Sequence, residues 1–80
     1  MYVHVEGDLS IPDKSVIAVL NLETVPPSSR TVTDFLNSED EAGRLQYLTE
    51  EIPCSAVITD DKTYVCSIST QVLIKRLNNS

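Results

Sequence analysis

The first residues alternate: in Met1-Tyr-Val-His-Val-Glu, Tyr2, His4 and Glu6 fall on one side, and Val3 and Val5 on the other. That is the period of a half-buried strand. Gly7-Asp8 reads as a hairpin turn into a second short strand, Leu9 to Ile11, which Pro12 ends. The run Ser15-Val-Ile-Ala-Val-Leu-Asn-Leu is almost continuously apolar, the pattern of a central strand covered on both faces.

Pro26-Pro27-Ser28-Ser29 interrupts the chain, and the period then changes: Val32, Phe35 and Leu36 recur at helical spacing. A helix is expected from Arg30 or Thr31. With Thr31 as N-cap, Asp34 stands at the third helical position, where a carboxylate meets unpaired N–H groups and gains about 0.3–1 kcal/mol. The acidic run Glu39-Asp40-Glu41, followed by Gly43, marks an exposed helix end or a loop. Residues 45 to 53 are ambiguous, because Leu45 and Leu48 suit a helix while Glu50, Glu51 and Pro53 suit a loop.

Ser55-Ala-Val-Ile-Thr and Thr63-Tyr-Val-Cys-Ser-Ile flank the polar connection Asp60-Asp61-Lys62, which predicts an antiparallel hairpin. A last helix is capped by Ser67 or Ser69, carries Val72, Leu73 and Leu77 as its apolar stripe, and ends at Asn78-Asn79. The expected order is βββαββα. This is a small α+β fold in a single domain, residues 1–80, with one mostly antiparallel sheet and both helices on one face. The other face and the sheet edges need cover, which subunit association can supply.

Composition sharpens this picture. At 80 residues, 41% apolar and 22% charged, the chain has globular values but buries only roughly 63% of its extended surface on folding. The longest apolar run, Val16 to Leu20, is far shorter than the ~20 residues of a membrane span, and no basic segment precedes an apolar one at the N-terminus. These features read as a soluble cytoplasmic protein. Cys54 and Cys66 are too few for a secreted disulfide scaffold and lack metal-knuckle spacing.

The net charge of -6 is the wrong sign for an ordinary nucleic-acid binder. Its distribution is uneven, however: residues 62 to 80 hold Lys62, Lys75 and Arg76 and no acid, while all twelve acids lie in residues 1 to 61. One weakly basic face on an acidic body gains strength only where several copies align it.

The candidate chemistry is sparse. His4 is the single histidine and has no nucleophile or acid at a catalytic spacing. Glu39-Asp40-Glu41 and Asp60-Asp61 lack the alternating ligands of a calcium loop, and two glycines, Gly7 and Gly43, cannot build a phosphate loop. An enzyme, a metal site, a cofactor and a small-molecule substrate are therefore not expected. Lys75-Arg76 is the pair that the macrodipole favours at the end of any helix. Together with Lys14, it is also the best candidate for phosphate contacts, which would be non-specific and salt dependent.

Three stretches carry a family resemblance: Met1-Tyr-Val-His-Val-Glu-Gly-Asp, Pro12-Asp-Lys-Ser-Val-Ile-Ala-Val-Leu-Asn-Leu-Glu, and Tyr64-Val-Cys-Ser-Ile-Ser-Thr-Gln-Val-Leu-Ile-Lys-Arg-Leu. Together they resemble the bacterial extracellular-matrix regulatory proteins of the RemA and RemB family, the RemB branch most closely. The resemblance implies a LytTR-like subunit that assembles into closed rings. It also implies a regulator that engages DNA near promoters of matrix and biofilm genes through arginine and lysine side chains. By the same resemblance, Lys14 matches a basic position before the central strand, and Lys75 and Arg76 match the family's basic ending. Where the DNA-binding branch is arginine-rich, this chain reads Thr49-Glu50-Glu51-Ile52-Pro53-Cys54, and carboxylates there repel phosphate. The alternative is an oligomeric scaffold or adaptor that binds a protein partner through its acidic surface and does not use DNA.

Overall fold

The computed structural model describes residues 2–7, 9–24 and 30–78. Asp8 of the expected turn, the Pro26-Pro27-Ser28-Ser29 break and Asn79 lie outside them. The chain forms β1 (Tyr2–Glu6), β2 (Leu9–Pro12), a 3-10 turn (Asp13–Ser15), β3 (Val16–Asn21), α1 (Arg30–Glu41), β4 (Leu45–Tyr47), β5 (Ser55–Thr59), β6 (Thr63–Cys66) and α2 (Thr70–Asn78). The α+β class holds. The strands, however, make two sheets: an antiparallel β1–β2 hairpin, and a four-stranded sheet in the order β3-β5-β6-β4.

Gly7, at φ 62°, supplies the left-handed turn residue between β1 and β2, and Val3 pairs with Ile11. In the larger sheet β3–β5 and β5–β6 are antiparallel. Val19, Val57 and Tyr64 line up on one face, and Leu20, Ala56 and Val65 on the other. The first face holds the main core. Val5 and Ile11 of the hairpin and Leu73 of α2 pack there with Val57, Tyr64 and Cys66, all buried.

Two polar ties fasten this layer. The Glu6 carboxylate accepts the Ser67 amide at 2.9 Å and the Ser67 hydroxyl at 2.6 Å. The Ser55 and Thr70 hydroxyls lie 2.9 Å apart, fixing the start of α2 on β5. Ser69, not Ser67, caps α2, its hydroxyl accepting the Val72 amide at 3.3 Å; Ser67 is committed to Glu6.

Several expectations are corrected. The apolar run Val16–Asn21 is an edge strand, not a central one, because among the described residues β5 alone pairs with it, and Ile17 at a β-bulge is 68% exposed. Val16 and Val19 pack against the core cluster and the rest of the strand apart from Ile17 is half-buried, which is why its pattern resembles that of a buried strand. The helices sit on opposite faces, not one. α1 lies against β4, and its Glu39 accepts a hydrogen bond from Thr63, which points away from the hairpin side. Thr31 is inside α1 rather than its cap, since helical structure already begins at Arg30.

The ambiguous stretch contains β4, which pairs parallel to β6, Leu45 with Thr63 and Tyr47 with Val65. Gly43 makes this strand accessible. At φ 72°, it lets its own amide bond Asp40 O at 3.0 Å and that of Arg44 bond Glu39 O at 2.8 Å. This Schellman closure ends α1 and turns the chain onto the sheet.

Candidate nucleic-acid interface

The register brings Lys14 to one end of the sheet, beside Lys62. Val16, which opens β3, pairs with Thr59, which closes β5. Lys14 in the 3-10 turn therefore abuts the β5–β6 turn, where the Asp60 amide donates to Ser15 O at 3.2 Å. That contact brings up Lys62, which sequence reasoning counted in the charge balance but did not place at the site. Its nearness to Lys14 depends on β3–β5 pairing across more than forty residues, a distance no local motif spans.

Thr59 organises this turn. Its hydroxyl lies 2.6 Å from Lys62 O and accepts the Lys62 amide at 3.0 Å, holding the lysine at the tip. α2 starts beside Ser55, at the far end of β3, and runs back until Leu77 lines a small apolar void with Val16. Its last turn, with Lys75 and Arg76, lies against β1, where Arg76 reaches the His4 and Val5 carbonyls.

The bases differ in freedom. Lys14, Lys62 and Lys75 are exposed, and among the described residues none of them takes part in an ion pair. Arg76 is half-buried and its Nη1 donates to His4 O at 3.0 Å and Val5 O at 3.3 Å. Its guanidinium therefore ties α2 to β1 and has fewer donors left for a phosphate. Asp13, Asp60 and Asp61 stand beside Lys14 and Lys62 in the chain, so a single copy presents a mixed surface rather than a basic one.

Glu50 and Glu51 are exposed and lie in the β4–β5 connection, at the opposite end of the sheet from Lys14 and Lys62. Their repulsion of phosphate is thereby removed from the lysines. A second acidic group surrounds Glu39. Thr63 Oγ1 donates to its carboxylate at 2.6 Å and Arg44 Nε at 3.0 Å. The Thr63 hydroxyl first, and the Arg44 guanidinium after it, hold the Glu39 carboxyl below its usual range against the opposing effect of burial.

The remaining candidates for chemistry are engaged or muted. His4 Nε2 meets Gly7 O at 2.5 Å across the hairpin turn. Burial pushes both the Cys54 and Cys66 thiols up, which keeps them protonated at neutral pH. Both cysteines are free, and Cys66 faces Ser55 rather than Cys54 in the register. Among the described residues no group of His, Cys, Asp or Glu could hold a metal ion, and no helix is long and apolar enough to cross a membrane.

No protein-family model matches the chain, and no curated protein matches it.

Proposed function

We propose that this chain is a cytoplasmic subunit of a ring-forming, DNA-binding transcriptional regulator, of the kind the RemA and RemB resemblance implies, acting on extracellular-matrix and biofilm genes. The observation that carries the reading is the placement of exposed Lys14 and Lys62 together at one end of the sheet, opposite to Glu50 and Glu51, with a third exposed base, Lys75, in the last turn of α2. Each copy offers only a few phosphate contacts. Repetition around a ring multiplies them, and the contacts position DNA without reading its sequence.

Retention of a long duplex by the purified protein at low and physiological salt tests this reading. Wild type is expected to be retained at low salt and released as salt rises. Lys14→Glu and Lys75→Glu are each expected to reduce retention, and retention unchanged by both sinks the proposal. A second reading, an adaptor for a basic protein partner, is supported by the acidic α1–β4 side. It predicts no DNA retention at any salt.

A further inference from the structure

The two edges of the four-stranded sheet are β3 and β4, and among the described residues no further strand pairs with either. Each edge carries exposed apolar side chains: Ile17, 68% exposed, on β3, and Tyr47, 58%, on β4, with Ile52, 84%, just beyond. β3 and β4 also run in the same direction, because β3 is antiparallel to β5, β5 to β6, and β6 is parallel to β4. A rotation about an axis along the strands therefore brings β3 of one copy beside β4 of the next in parallel, with the same end uppermost.

The charges of the two sides differ: the β3 side is nearly balanced and the β4 side strongly acidic. The 3-10 turn, β3 with its exit, and α2 hold Asp13 and Glu23 against three bases, Lys14, Lys75 and Arg76. α1, β4 and the segment through Glu51 hold six acids against two arginines. Two acidic β4 sides would repel, whereas the β3 side carries no excess of acid, so the charge pattern opposes a two-fold contact through β4 and favours its head-to-tail contact with β3.

We infer that the occupant of the β3 edge is a second copy of this chain, joined through its β4 edge to extend the sheet from subunit to subunit. The regular part of β3, Ala18–Asn21, beyond the bulge at Ile17, offers the paired length that the three residues of β4 require. This contact rests on the assembly part of the proposed function and gives it a surface. It is independent of DNA.

The test uses the full chain and two variants at exposed positions, Ile17→Glu on the β3 edge and Tyr47→Glu on the β4 edge, each checked for native circular dichroism. By light scattering on a sizing column, wild type is expected to be larger than a dimer and each variant monomeric. An equimolar mixture of the two is expected to give a species of twice the protomer mass and nothing larger, since one intact edge of each kind remains. Persistent assembly of both variants overturns the edge contact while leaving the ring reading intact. A mixture that stays monomeric, or a variant that dimerises alone, overturns the head-to-tail pairing. A monomeric wild type overturns both the contact and the ring.

Discussion

The two faces of the four-stranded sheet are covered very differently. On one, Val3, Val5, Ile11 and Leu73 are all at most 5% exposed, and hydrogen bonds from Glu6, Ser55 and Arg76 fasten the layer from three directions. On the other, α1 contributes no buried residue; Val32, Phe35 and Leu36 are only half-covered, and the adjoining β4 leaves Tyr47 outside. Ala56 and Val65 of the sheet are buried on this face too, so the difference lies in the covering layers: the hairpin and α2 bring buried side chains, and α1 brings none. At 80 residues there is little apolar surface with which to bury α1 as fully, and under the proposed edge contact a neighbouring copy would supply that cover.

The contrast can be broken most sharply in the core. Leu73→Ala is expected to cost about 2–5 kcal/mol, because the cavity it leaves is enclosed by the hairpin and sheet. The larger truncation Phe35→Ala on half-buried α1 is expected to cost only about 1 kcal/mol in the dilute protein. Urea unfolding compares them, and equal losses would contradict the asymmetry.

Next in size is Arg76→Gln, expected to cost about 1–2 kcal/mol by releasing the His4 and Val5 carbonyls. Lys75→Gln should stay within about 0.5 kcal/mol, so that thermal unfolding separates the tying base from the exposed one beside it. On the thinner side, Gly43→Ala forces a side chain into left-handed backbone and is expected to cost about 1 kcal/mol, read in the same urea series.

The smallest effect is the pH dependence of the Glu39 cluster. The folded carboxyl titrates below its unfolded value, so its contribution is complete above the unfolded carboxylate range and is lost as pH falls through the folded pKa. Glu39→Gln should flatten that part of the acid limb of a stability–pH curve. An unchanged acid limb would remove Thr63 and Arg44 as its cause.

Local pattern carried much of this fold. The alternation of Val3 and Val5, the Gly7 turn and the β5–β6 hairpin are each written within a few residues and are found in place, whereas of the expected α2 stripe Leu73 is buried and Leu77 half-buried but Val72 stays 41% exposed. Neighbour identity was not written there. In Val16–Asn21, Val16 and Val19 are apolar because they pack on the core, and the apolar pattern cannot say whether one strand or two flank the backbone. β4 is three residues long and is made a strand by parallel pairing with β6, a non-local contact that outweighs its weak intrinsic signal. For the same reason Lys14 and Lys75 could be named as bases from the sequence, whereas the placement of Lys62 beside Lys14 and the tethering of Arg76 required the register and the packing of α2 on β1.

Amide hydrogen exchange of the wild-type protein, measured at high and at low protein concentration, tests the central claim most directly. The account predicts that amides of β3, β4 and α1 gain protection as concentration rises, while those of β1, β6 and α2 exchange alike at both. Protection independent of concentration throughout the chain would contradict it, because the thinly covered half would then be as complete in one copy as the other.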